Sequence, residues 1–244
     1  HLFIINKSIM GFSRGPNIVT DGLVFVVDPG SERSYPNPGT GTAVNSLSGT
    51  NTGTLTNGVG FDSANGGNWT FDGVDDYILY SSTQDVGTAF TVNFWIKPNG
   101  KARQSVISNG YPYQTNKGFF IACPGNNANS NSFFLSLGAD DNYTTSANNS
   151  LTQGVWQMVT CCVDGSSNLM RLYVNSTETS YANQGYGNAT LQYDVGNLLT
   201  GWRTTASASD DLESPVSCIQ MYNRALTATE IAQNYNAQKS RFGL

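Results

Sequence analysis

Charge is what this 244-residue chain has least of: Asp, Glu, Lys and Arg make up 12% of it and it holds a single histidine, about half the usual charged share. These absences exclude several function classes. With no run of Lys or Arg, a net charge of -5 and a pI near 4.7, the chain lacks the clustered cations that a nucleic-acid groove requires, so no nucleic acid is expected as a partner. The one histidine, His1, lies in an unpatterned opening segment, which removes Ser/His/Asp, Cys/His and His-metal arrangements together. Neither Glu-x-Asp-x-x-Glu nor Glu-x-Asp-x-Glu occurs, so the paired carboxylates of a glycosidase on a β-sandwich are missing too. The expectation is a protein that is not an enzyme. Apolar runs such as Leu23 to Val27 are strand-length, too short for a membrane-spanning helix, and no membrane partner is expected. The opening HLFIINKSIMGFSRGP lacks the charged start and small-residue cleavage site of a signal peptide. Met10 as an alternative start and a processing cut before His1 are both compatible with it.

Gly, Asn, Ser and Thr crowd the stretches between apolar runs, and turn dipeptides punctuate them: Asn99-Gly100, Asn109-Gly110 and Asp164-Gly165 are the vocabulary of antiparallel hairpins. In FTVNFWIK, Phe90, Val92, Phe94 and Ile96 alternate with Thr91, Asn93, Trp95 and Lys97, a period of two that makes one face apolar and one polar. Similar strand runs recur at Gly22 to Val27, Thr70 to Tyr80, GFFIAC, SFFLSLG, WQMVTCCV, MRLYVN and PVSCIQMY. Many strands with short polar connections predict an all-β protein, a two-sheet antiparallel jelly-roll sandwich. Residues 31–68 are the least patterned part and read as a surface excursion with room for short strands. Cys123, Cys161, Cys162 and Cys218 lack metal-ligand spacing and are expected as reduced, buried thiols, with one or more disulfides as the alternative. Neighbours on one strand, Cys161 and Cys162 should point to opposite faces, only one of them toward the core.

Against this background the ending MYNRALTATEIAQNY stands out as the one helix. Thr227 and Glu230 have the spacing of a capping box, Leu226 and Ile231 that of a hydrophobic staple, and Ile231 with Tyr235 supplies an apolar face. A short helix over about 227–237 is therefore predicted, lying against an edge or one end of the sandwich. The organisation expected is an extended arm over 1–20, a sandwich with its terminal helix over 21–238, and a tail over 239–244.

In order and spacing, FDGVDDYI, FTVNFWIKP, GVWQMVTCCVDGSSNLMRLYVN and IQMYNRALTATEI resemble the laminin-G-like, concanavalin-A-like jelly-roll superfamily over about residues 21–238. The start MGFSRGPNIVTDGLVFVVDPGSERSYP and the finish EIAQNYNAQKSRFGL are similar to virion structural proteins of tailed bacteriophages, particularly marine and cyanobacterial ones. That resemblance implies a virion-surface location and a capsid decoration or cement role. Its implied partners are the major capsid protein or neighbouring copies in a homo-oligomer. A glycan-binding adhesin module of a tail fibre or secreted host protein, with a host-surface glycan as partner, is the alternative. Two turns depart from the family pattern, at Ser176 after LYVN and at LESPVS before the last strand.

Asp72, Asp75 and Asp76 are the candidate metal ligands, for Ca²⁺, since hard carboxylate oxygens suit that ion and members of the superfamily bind it. Turn capping is the competing role, and the Gly73 turn is expected to split the three between faces. Asp210, Asp211 and Glu213 form a second acidic group, read as a solvated loop. Of Trp69, Trp95, Trp156 and Trp202, Trp95 falls on the polar side of its strand and is the candidate ligand or interface residue. Lys7 and Arg14 make the arm cationic, with no acidic residue before Asp21, and are the candidate docking residues. The N-x-S/T sequons are explained by a composition rich in Asn, Ser and Thr.

Overall fold

The computed structural model describes residues 17–81, 87–100, 103–109, 118–124, 131–138, 142–185, 197–201 and 210–244. Two antiparallel sheets face each other. The first runs β14 (Thr177–Glu178), β13 (Leu169–Val174), β12 (Gln157–Asp164), β7 (Ala89–Ile96), β17 (Val216–Tyr222), β5 (Asn68–Thr70) and β4 (Gly60–Asp62), and β1 (Leu23–Val27) also pairs with β17. The second runs β15 (Tyr181–Asn183), β11 (Tyr143–Ser146), β10 (Phe134–Leu137), β9 (Phe119–Ala122), β8 (Ser105–Asn109), β16 (Leu198–Thr200), β6 (Tyr77–Tyr80), β3 (Thr52–Thr56) and β2 (Ala43–Asn45). The run read as one strand over Thr70 to Tyr80 is in fact two, β5 in one sheet and β6 in the other, with 71–76 crossing between them. The unpatterned stretch 31–68 contributes β2, β3 and β4.

Strand alternation places the core. Phe90, Val92, Phe94 and Ile96 of β7 and Val159, Cys161 and Val163 of β12 meet Ile78 and Tyr80 of β6 and Phe119 and Ile121 of β9 between the sheets. β7 and β12 pair without a slip from Ala89↔Asp164 to Ile96↔Gln157, so every inward residue of one stands beside an inward residue of the other. Each such side chain contributes about 1.5–3 kcal/mol by leaving water.

The other face of the first sheet is not open to solvent. Trp95, Met158, Cys162, Tyr173, Cys218 and Tyr222 form a second apolar cluster with Leu226, Ile231 and Phe242. The helix α1 (Ala228–Gln238) thus lies across the outer face of β12, β7 and β17 rather than at an edge or end. The reason is area: a helix with an apolar stripe gains most by covering a broad apolar surface. Both Cys161 and Cys162 are consequently buried, each in a different cluster.

The capping box is present. Glu230 N–H donates to Thr227 Oγ1 at 3.3 Å and Thr227 N–H donates to Glu230 Oε2 at 2.9 Å. Arg224 forks onto the same carboxylate at 3.0 and 2.6 Å, and Leu226 N–H donates to Thr91 Oγ1, which fixes the helix start to β7. Residues 239–244, expected as a tail, instead form a 3₁₀ turn over Lys239–Phe242 that buries Phe242. At the turn between β13 and β14, Asn175 (φ 49°) and Ser176 (φ 68°) both occupy the left-handed region. Ser176 therefore carries the strain, about 1 kcal/mol, that a glycine there would avoid.

Candidate functional site

Asp72, Asp75 and Asp76 sit in the crossover from β5 to β6. Each offers a carboxylate oxygen, and these atoms all lie within 4.8 Å of one another, so the three are brought together rather than split between faces. The capping role exists as well: Asp72 Oδ1 accepts from Val74 N–H at 2.8 Å and Asp76 Oδ2 accepts from Asp72 N–H at 2.9 Å. Asp72 and Asp75 are exposed, whereas Asp76 is 4% exposed and its Oδ1 has no hydrogen-bond partner. Burial pushes the Asp76 carboxyl above its ordinary value; the Asp72 N–H bond opposes this, and the charges of Asp72 and Asp75 add to it. Gly201 backs the loop closely, since a Cβ there would lie 2.8 Å from the Asp76 carbonyl oxygen. Val74, at the tip, is 67% exposed. An all-oxygen set of this kind suits a hard divalent cation.

Trp95 is the residue that sequence reasoning misplaces. It is 0% exposed, stacked on Phe242 at 4.0 Å and on Tyr235 at 5.9 Å, and its Nε1 donates to Gln238 Oε1 at 2.8 Å. The polar side of β7 faces the protein's own helix, so the interface Trp95 serves is internal. The stripe formed by Ile231 and Tyr235 was the available signal, because it needed an apolar surface to cover. Trp69 and Trp156 are buried too, the latter packed on Phe242 and donating to Asn65 Oδ1. Trp202, Lys7 and Arg14 lie outside the described residues. Asp210 and Asp211 are buried, and Asp210 pairs with Arg103 at 3.2 Å, which corrects the reading of these two as a solvated loop, whereas Glu213 is exposed.

Sequence reasoning also missed Arg241. Its guanidinium donates to both oxygens of Asp28 at 2.9 Å, to the carbonyls of Asn65, Gly66 and Gly67 at 2.6–3.1 Å, to Ser217 Oγ and to Cys218 Sγ. No sequence pattern points to it, since its partners are 23 to 213 residues away. The backbones there approach so closely that a Cβ on Gly30 would collide with the Gly66 carbonyl. Burial pushes the Cys218 thiol up to about 12 despite the adjacent cation, and all four cysteines are free and buried. None of them offers a thiolate nucleophile.

The expected arm, 1–20, falls mostly outside the described residues, but its last four are held in place. Val19 is buried in the second cluster, its N–H donates to Asn234 Oδ1 at 2.8 Å, its carbonyl accepts from Tyr222 Oη, and Gln233 Nε2 donates to the Asn17 carbonyl.

A family model described as the concanavalin A-like lectin/glucanases superfamily, laminin-G type, matches residues 71–232, well over half of the chain. The chain belongs to this family. Solved structures similar to this laminin-G-type domain include a Trypanosoma rangeli sialidase in complex with sialic acid, at 15% identity and a TM-score of 0.64, covering 94% of this chain and 36% of that one. The botulinum neurotoxin type G receptor-binding domain is 13% identical with a TM-score of 0.63, covering 90% of this chain and 52% of that one. A heptameric SAP-like pentraxin from Limulus polyphemus is 16% identical with a TM-score of 0.54, covering 67% and 78%. At these identities the likeness is one of fold. The laminin-G-type domain spans about a third of the sialidase and half of the toxin domain, and the fold by itself does not make an enzyme. No curated protein matches the chain.

Proposed function

We propose that this laminin-G-type domain is a non-enzymatic structural protein of a bacteriophage particle, a decoration protein that docks on the capsid shell. The observation that carries this reading is the burial of Trp69, Trp95 and Trp156. With the outer face of the first sheet covered by α1 and no described tryptophan free to stack on a sugar, loops, edges and the N-terminal segment remain for contact with a partner. Such contact needs complementary shape rather than an aromatic platform. The resemblance of both chain ends to tailed-phage virion proteins supports the major capsid protein or a neighbouring copy as that partner. Residues 1–16, with Lys7 and Arg14 and no acid, supply a cationic segment on an acidic body. Asn17 to Thr20, bound to α1, is the fixed point from which it departs.

The second reading, a glycan-binding adhesin module, is favoured by the lectin members of the family. One experiment separates the two. Protein lacking residues 1–16, which keeps the Val19 contacts, is offered to particles stripped of it, and glycan binding is assayed in parallel. The decoration reading expects an unchanged unfolding transition with occupancy on particles lost. Full occupancy of the truncated protein rejects docking through that segment, and saccharide binding that survives the truncation would favour the adhesin.

A further inference from the structure

We propose that Asn57, at the corner between β3 and β4, is a site of spontaneous covalent modification, where the side-chain amide is converted to aspartate and isoaspartate. This goes beyond the decoration reading and does not depend on it. The only co-reactant is water. The Gly58 backbone nitrogen attacks Asn57 Cγ, its proton passes to the departing Nδ2, and ammonia leaves as the new Cγ–N bond closes a succinimide. Water then opens that ring at either carbonyl, so a carboxylate replaces the amide. A following glycine makes the attack feasible, because no Cβ shields the nitrogen and the backbone rotates freely.

The sequence has four Asn-Gly pairs, at 57–58, 65–66, 99–100 and 109–110, and the fold holds three of the asparagines in place. Asn65 accepts from Trp156 Nε1 at 3.0 Å and donates to the Arg241 carbonyl, while the Asn65 and Gly66 carbonyls both accept from the Arg241 guanidinium. Asn99 Oδ1 accepts from Gln104 Nε2 at 2.7 Å and from Ser214 Oγ at 3.2 Å. Asn109 is fully buried within β8. Asn57 and Gly58 are both exposed, and among the described residues the Asn57 side chain makes one hydrogen bond, from Nδ2 to the Asp75 carbonyl at 3.0 Å. With φ at 63° and 118°, the two residues form a left-handed corner that must open before the nitrogen can reach Cγ. One solvent-exposed bond is little to hold it shut.

The position of the product gives the reaction a consequence. The group that donated to the Asp75 carbonyl becomes an anion facing the same acceptor. Gly58 stands against Asp76, where a Cβ would lie 3.3 Å from Oδ1. Conversion therefore removes the bond between this corner and the crossover, and adds a like charge beside Asp72, Asp75 and Asp76.

The test holds the full chain in mildly alkaline buffer and digests samples over time for mass spectrometry, with isoaspartate methyltransferase labelling to separate the two products. In the folded chain Asn57 should convert at least about tenfold faster than Asn65, Asn99 or Asn109, whereas in urea the four should react within a factor of about three of one another. Asn57→Gln, whose longer side chain closes the ring far more slowly, should remove the first acidic species to appear on ion exchange. Asn57→Asp should lower the unfolding temperature. The proposal is overturned if Asn65 or Asn99 converts as fast as Asn57 in the folded chain, or if Asn57 stays intact while the chain in urea reacts. An Asn57→Asp variant as stable as the parent would overturn the consequence for the crossover.

Discussion

Arg241 and the Asp72–Asp76 loop are two concentrations of charge in a chain that has little, and the fold treats them in opposite ways. Arg241 is surrounded by a carboxylate, three carbonyls, a hydroxyl and a thiol, all from its own chain. It joins the C-terminal turn to Asp28 just after β1, to the loop between β4 and β5, and to β17. The three aspartates gather as closely, yet no cation of the described chain answers them and one buried oxygen is left without a donor. The first arrangement is closed, and charge there serves stability. The second is open, with one buried carboxylate oxygen left without a donor. Saturation of polar groups, not the number of charges, distinguishes a structural cluster from a candidate site.

The largest expected effect comes from breaking the closed cluster. Arg241→Met keeps the aliphatic stem but strands Asp28 and three carbonyls, and should cost about 2–4 kcal/mol in urea unfolding. A loss below about 0.5 kcal/mol, the ordinary scatter of surface substitutions, would show that the cluster is ornamental. Next is the helix start: Thr227→Ala should cost about 1 kcal/mol. Glu230 at the same cap is held down to about 2, first by the Arg224 fork. Because the folded carboxyl lies below its ordinary value of 4.5, its contribution is complete above about pH 4.5 and fades as the pH falls toward 2. Acid titration of stability should therefore flatten in Glu230→Gln. The smallest effect sharpens the other side of the comparison. Asp75→Asn should raise stability by about a few tenths of a kcal/mol in urea unfolding by relieving repulsion between the clustered carboxylates.

The capping box at Thr227 and Glu230, the inward set of β7 and the two-sheet architecture were all legible, because each depends on residues within a few positions of one another. The acidic loop was legible as a cluster but not as a geometry. FDGVDDYI shows three carboxylates, whereas the fact that β5 and β6 belong to different sheets, so that the loop turns back and draws them together, is a property of the topology. Trp95 was misread for a related reason. The alternation in FTVNFWIK fixed that Trp95 points away from Phe94, and the sequence alone could carry the argument no further. What lies on that side, water or the helix formed some 140 residues later, was decided only when the chain folded back. Local stereochemistry determines which way a side chain points, while the burial and pairing that give it a role depend on contacts whose sequence separation no periodicity encodes.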